Sequence, residues 1–424
     1  MNKTSNKFRH LVWPLVSLAL LLLFNAIFTD NFFKIEIKKS DSAQEAVQAP
    51  VVKDELPAAA GEAAAQAGEA AAQAGEAAAS AEAAVQAVAQ ETEAQAPAEQ
   101  AAPAKSDKGV SIFGYYLYGT PIDILNQGAK VMVLAIGMTL VIATGGIDIS
   151  VGAVMAIAGA IAALLMSLLD AGSCPGAGMG PNLYWIIPVA AALILSTLAG
   201  FWNGMLVAGF GIQPMVATLV LMVAGRGVAQ LITDGQIITF DNPGLVFLCN
   251  GHALFLPFSV WIVVTMYVVA GLLTRKTAFG LFIESVGNNE RASRYAGIEA
   301  RRIKWLTYVI CGFCAGVAGL LAASNIKCAD SNNAGLYLEL DAILATVIGG
   351  TSMAGGRFFL SGSLVGAILI QTLTTTMYMK NVSPAIVAVP KAMVVIIVCL
   401  LQSPVFRAKV LAIFASKAAK GGVQ

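Results

Sequence analysis

Few residues in this chain could do chemistry, and their spacing excludes most kinds of it. The two histidines, His10 and His252, stand alone, and the six cysteines show no H-E-x-x-H or paired C-x-x-C pattern, so a zinc centre is excluded. Cys311 and Cys314 share one face of an apolar helical run and lack the strand-helix context of a redox motif; they read as packing residues. The glycine-rich stretch from Gly349 to Arg357, G-G-T-S-M-A-G-G-R, lacks the Lys-Ser/Thr ending of a phosphate loop. No G-x-x-x-x-G-K-[ST] occurs anywhere, so this stretch reads as a turn between helices.

What remains is a set of polar side chains inside apolar runs, each of which needs a partner or water. Asp148 lies in G-G-I-D-I-S-V-G (145–152), where it or Ser150 can cap the next helix, or mark a polar pathway through a membrane. Asn203 follows Trp202 and could bind a solute with it, although aromatic packing between helices is the commoner use. Arg226 could offer its planar fork to a polyol or snorkel to water. Glu339 and Asp341 read as charges at a helix start, or as acids lining an outward vestibule. Gln230, Gln371 and Thr374 complete the set.

The longest charged segment is 275–304, with Arg275, Lys276, Arg291, Arg294, Arg301, Arg302 and Lys304 against three glutamates. Ala292, Tyr295, Ala296 and Ile303 can form an apolar patch beside Arg291 and Arg294. That suits a short helix docking into another protein's groove, and equally a helix lying on a membrane surface.

The elements that must position these residues are membrane helices. Of 424 residues 57% are apolar and 12% charged, about half the charge of a soluble domain. The 26 basic and 25 acidic residues nearly cancel, which leaves no overall field for nucleic acid. Apolar runs fall at 11–28, 122–144, 150–169, 183–208, 212–232, 253–274, 305–324, 338–350, 358–379 and 385–402, and predict about ten transmembrane helices in an all-α polytopic protein. The first run is too long for a leader's apolar core and reads as a retained span within residues 1–40.

Residues 41–108 are low-complexity, rich in Ala, Glu and Gln, with G-E-A-A-A-Q-A repeated from Gly61 and Gly68. Lacking large apolar side chains for a seam, they read as a fluctuating helix or tether. The body is then 109–403, and 404–424 is a basic tail. Lys3, Lys7 and Arg9 at the start and Arg407, Lys409, Lys417 and Lys420 at the end place both termini in the cytoplasm. Ten spans agree with that and put 275–304 inside and the 41–108 insert outside. Tyr115, Tyr116 and Tyr118 read as an interfacial belt, and Cys174, Cys249 and Cys328 fall in outer loops where a pair could oxidise.

Three motifs, G-G-I-D-I-S-V-G, N-E-R-A-S-R-Y-A-G-I and E-L-D-A-I-L-A-T-V-I-G-G-T-S-M-A-G-G-R, resemble the ribose-type ABC sugar permeases over most of 120–403. P-I-D-I-L-N, L-A-I-G-M-T-L-V-I-A-T-G-G-I-D-I-S and M-V-A-G-R-G-V-A-Q-L-I-T look most like the galactofuranose permease branch. The resemblance implies a multi-pass subunit of the bacterial inner membrane, in an importer with a second permease subunit, ATPase subunits that carry ATP and Mg, and a periplasmic sugar-binding protein. This chain itself would bind no cofactor or metal. Glu290, Arg291, Ala292, Arg294, Gly297 and Ile298 match the segment expected to form the coupling helix seated in the ATPase. Asp148, Asn203, Arg226, Glu339 and Asp341 are the residues expected along the substrate pathway. The insert departs from the family pattern. Two other classes stay open: a proton-coupled secondary transporter, for which membrane-buried ionisable groups are sparse, and a membrane transferase, for which neither histidine has a catalytic context.

Overall fold

Alanine, glycine and branched aliphatic residues fill the apolar runs almost without interruption, and helix is what such runs can form without leaving backbone groups unpaired in lipid. The computed structural model describes residues 5–28, 33–39, 115–170, 184–380 and single positions between 382 and 396. The insert expected at 41–108, the tail at 404–424, Cys174 and most of the run 385–402 lie outside the described residues.

In chain order the elements are α1 (Ser5–Phe28), the antiparallel strands β1 (Glu36–Lys39) and β2 (Tyr115–Tyr118), α2 (Thr120–Ala143), α3 (Val151–Asp170) and α4 (Ile186–Gly204). A π-helical turn, Met205–Gly209, prolongs α4, and α5 (Pro214–Thr233) follows. Then come β3 (Ile238–Thr239), α6 (Pro243–Asn250), β4 (His252–Ala253), β5 (Leu256–Pro257) and α7 (Phe258–Lys276). The short helices α8 (Ala278–Asn288) and α9 (Glu290–Tyr295) lead into α10 (Ala300–Ile326), β6 (Cys328–Ala329), α11 (Leu338–Ile348) and α12 (Leu360–Met379). Among the described residues α2, α3, α4 with its π turn, α5, α7, α10 and α12 are long and apolar enough to cross a bilayer. The expected class, an all-α polytopic membrane protein, holds at that level, and among the described residues strands form only three two-stranded pairs. Tyr115, Tyr116 and Tyr118, expected as a belt, belong to β2, whose partner β1 begins with Glu36 opposite Tyr118.

Burial sorts the helices into a centre and a rim. The apolar windows of α2, α3 and α10 are 83%, 78% and 72% buried, whereas those of α5 and α7 are each 22% buried. A helix that is apolar all round belongs inside, and α2 is buried continuously from Gly128 to Ala143. Small residues let α10 reach its neighbours backbone to backbone: a Cβ on Gly312 would lie 2.6 Å from the Ser196 oxygen and 2.7 Å from Gly200 Cα.

The run expected to span at 338–350 forms only the 11 residues of α11, ~16 Å at 1.5 Å per residue, against ~30 Å for a hydrocarbon core. Its approach is unwound. Turns over 331–337 run from β6 past α5 to Gly335, whose carbonyl sits against Gly152 in the first turn of α3. The link 144–150 behaves similarly: after α2 it doubles back, with Gly146 N–H donating to the Val141 carbonyl, before α3 starts. Two helices, α3 and α11, thus begin inside the protein, next to each other.

Candidate functional site

The unwound leads into α3 and α11 carry most of the polar residues singled out in the sequence. Ile147 exposes a carbonyl that accepts from Thr218 Oγ1 at 3.4 Å and from the Tyr308 hydroxyl at 3.5 Å. Asp148, 1% exposed, accepts at one carboxylate oxygen from Ser150 N–H (3.0 Å) and Ser150 Oγ (2.6 Å), the local loop that primes the helix start. Asn203, fully buried near the end of α4, donates from Nδ2 to Ser150 Oγ at 2.7 Å and to Asp148 at 3.4 Å. Cys311 is also within hydrogen-bonding reach of Asp148. Cys311 packs against Gly137, six residues before the end of α2, so this cluster lies ~9 Å up that helix from its end. Trp202 does not join Asn203: it is 51% exposed on the opposite face, and Phe201 makes the aromatic contact, edge-on to Trp305 at 5.0 Å.

Across from this cluster Arg226 neither snorkels nor stands open. Its Nη1 donates to the carbonyls of Asn332 (3.2 Å) and Ala334 (3.1 Å), and Gln230 Nε2 donates to Asn332 Oδ1 at 2.7 Å. Arg226 therefore satisfies backbone carbonyls that the unwound 331–337 segment cannot pair in a helix, a need that is acute within a membrane. Its charge also acts on Glu339, which is 2% exposed in the first turn of α11 with one carboxylate oxygen against Gly152. Arg226 Nε and Glu339 Oε2 are buried without a hydrogen-bond partner in this state, as is Asn203 Oδ1. Asp341 goes elsewhere, to Lys391 Nζ at 2.7 and 3.0 Å, with side chains 8% and 13% exposed. Asp148 with Asn203, and Arg226 with Glu339, are thus brought together as two neighbouring groups around the starts of α3 and α11; Asp341 is diverted into an ion pair.

The basic loop folds as α8 and α9. Thr277 caps α8 by accepting from Phe279 N–H at 3.2 Å, and Asn289 caps α9 by accepting from Ala292 N–H at 3.0 Å. The end of α9 is a paired glycine stop: Ile298 N–H reaches the Ser293 carbonyl and Gly297 N–H the Arg294 carbonyl, with Gly297 at φ 82°. Glu290 binds Arg294 at 2.6 Å and Lys304 of α10 at 2.5 Å, chiefly the Lys304 bond holding its carboxyl below the usual range. Only Ser293 faces inward; Arg291, Ala292, Arg294, Tyr295, Ala296 and Gly297 are exposed, and Tyr295 at 94% stands fully clear. Ile303, expected in the same patch, instead packs inward against the cluster of Ile136, Leu140 and Ile283.

Sequence reasoning missed Lys391, the partner of Asp341, because nothing in the apolar run around it points across 50 positions. It also missed Tyr308 as a member of the Asp148 cluster, whereas Ser150, paired with Asp148 in the sequence as a capping candidate, does bond to it. Cys311 and Cys314 are buried and free, as packing residues should be. No disulfide joins Cys249 to Cys328, and Cys249 is buried in α6 rather than in an open loop. Among the described residues no group of three or more His, Cys, Asp or Glu could hold a metal.

Comparison with known proteins places this arrangement. The family described as "Branched-chain amino acid transport system / permease component" matches residues 120–401. The chain is 55% identical over 291 residues to the galactofuranose transporter permease protein YtfT of Escherichia coli (strain K12), which covers 68% of this chain and 81% of the relative. It is 42% identical over 292 residues to the fructose import permease protein FruF of Bifidobacterium longum (68% and 78% covered). It is 36% identical over 283 residues to the ribose import permease protein RbsC of Haemophilus influenzae (66% and 83% covered). No solved structure matches.

Proposed function

The chain belongs to the family of transport-system permease components, and from that premise we propose that it is the membrane subunit of an ATP-driven importer of a monosaccharide, with galactofuranose the first sugar to test. It is a transport permease and not an enzyme. The observation that carries the mechanism is the capped, glycine-stopped α9, held by Glu290 and presenting Tyr295 with Arg291 and Arg294, on a chain without a phosphate loop. An aromatic residue flanked by arginines is what a protein groove takes as an anchor. In this reading α9 seats in a separate ATPase, which carries ATP and Mg, and Glu290, Arg291, Ala292, Arg294, Gly297 and Ile298 shape the contact. A second permease subunit and a periplasmic sugar-binding protein complete the assembly in the bacterial inner membrane.

Ten crossings, with both termini and 275–304 in the cytoplasm, fit this reading if the unwound 331–337 and α11 together make one broken crossing. Residues 1–40 then hold the first span, 41–108 an outer insert, 109–403 the permease body and 404–424 an inner tail. Broken spans in transporters put backbone and helix-start groups at mid-membrane, where a polar solute needs them. Asp148, Asn203, Arg226 and Glu339 line that break, and Asp341 supports it through Lys391. Closure of the ATPases would move α9 and switch which side of the break is open. The test is sugar uptake in cells: it should stop on ATP depletion, survive collapse of the proton gradient, and prefer furanose over pyranose competitors. Uptake that ignores ATP and stops with uncoupler would replace this reading by a proton-coupled carrier.

A further inference from the structure

We infer that Gly287, Gly355 and Gly356 weld the ATPase-facing segment to the half-helix α11, so that α8, the end of α2 and α11 move as one body during transport. The inference rests on the coupling role proposed for α9 and adds what that helix drives.

Three stretches of backbone meet where α8 ends. Gly356 N–H donates to the Ala143 carbonyl at 2.9 Å, using one of the carbonyls left unpaired by the end of α2. A Cβ on Gly287 would overlap that same carbonyl and lie 2.5 Å from Gly356 N. A Cβ on Gly355 would lie 2.8 Å from the Gly287 oxygen and 3.0 Å from Gly145 N, and one on Gly356 would lie 3.2 Å from Asn288 Cα. Gly355 and Gly356 also sit at φ 84° and 85°, where other residues are strained. Past this junction the contact continues along α11: Gly349 packs on the Gly362 backbone of α12, and Gly366 on the Ala345 carbonyl.

Contacts of backbone on backbone have no rotamers to yield, so a displacement at one end is carried to the other. α9 is also joined to α10, by residues 296–299 and by the pair between Glu290 and Lys304, whose long side chains, about a quarter to a third exposed, can stretch or re-form as α10 moves. The far end of the welded body is the start of α11, where Glu339 rests against Gly152. A push received at α9 and passed to α8 therefore reaches the polar break through backbone contacts rather than through long side chains.

The experiment uses the whole transporter, reconstituted with its ATPase and binding protein, on a background lacking reactive native cysteines. Spin labels at Glu284 of α8 and Met353 of the glycine turn report the inside of the body. Labels at Met353 and Phe210, at the turn between α4 and α5, report its motion against the rest. Between nucleotide-free and ATP-trapped samples the 284–353 distance should stay fixed while the 353–210 distance shifts. A 284–353 change as large as the other, or no change in either, overturns the weld. Gly287→Ala should still co-purify with the ATPase yet import at least tenfold less sugar per ATP hydrolysed; unchanged import per ATP also overturns it. Co-purification scores the coupling role by itself, so a distance failure in ATPase-loaded samples counts against the weld alone.

Discussion

Replacing Lys391 by methionine tests the ion pair that secures α11. Lys391 Nζ lies 2.7 and 3.0 Å from the two oxygens of Asp341, and the side chains are 13% and 8% exposed. Lys391→Met keeps much of the volume and removes the charge, which strands a buried carboxylate. Losing one partner of such a pair costs about 3 to 5 kcal/mol, whereas replacing both by apolar groups is often near neutral. In nanodiscs Lys391→Met should therefore lower the midpoint of thermal unfolding by on the order of 10 °C. The double variant Asp341→Leu/Lys391→Met should recover most of that loss, because no unpaired charge remains. Uptake is the second readout: if the pair is structural support for the start of α11, the double variant folds and still transports more weakly, since α11 has lost its tie to Lys391. Equal melting of the single and double variants would refute the reasoning, as would a single variant indistinguishable from the parent.

Glu290 is held below the ordinary carboxylate range of about 4 to 4.5, chiefly by Lys304, so its stabilising charge is complete above that range and lost only as pH falls through the depressed value. ATPase co-purification should stay level from pH 8 to 5, and Glu290→Gln should weaken it at every pH in that window. Gly312→Ala pushes a methyl against the Ser196 oxygen and Gly200 and should destabilise by roughly 1 to 3 kcal/mol, while Gly271→Ala, with nothing within 4 Å, should be neutral or stabilising by up to ~1 kcal/mol; detergent melting compares them. Burial pushes the Cys249 thiol up to about 12, so it should resist maleimide between pH 7 and 9 in the folded protein and react on denaturation, read by mass spectrometry of peptides.

What the sequence makes legible is whatever depends on local composition. Seven of the runs predicted as spans are, among the described residues, helices long and apolar enough to cross, and the run 11–28 lies in the 24-residue α1, because hydropathy over about 20 residues decides membrane helices in lipid. The cap and stop of α9 are local signals as well: Asn289 ahead of Glu290, and Gly297 after Tyr295. The unwound lead into α11 is not legible, since Leu338 to Gly350 reads as apolar helix whether its lead is wound or unwound, and it is Arg226, a hundred residues away, that satisfies the lead's free carbonyls. Arg226 in isolation reads equally as ligand contact or snorkel. Trp202 and Asn203 look like a pair because they are adjacent, but adjacent helical residues point about 100° apart, and the helix puts one outside and one inside. Gly349 to Arg357 is correctly read as a turn; that its glycines meet Gly287 and Ala143 follows from tertiary approach alone.

The central claim is that this chain is a gate driven by a separate ATPase, and reconstitution tests it most directly. Purified into vesicles with ATP inside and labelled galactofuranose outside, the chain should accumulate no sugar alone and should do so once its ATPase and binding protein are added. Accumulation by the chain alone, or a complete assembly whose uptake ignores ATP, would contradict the account.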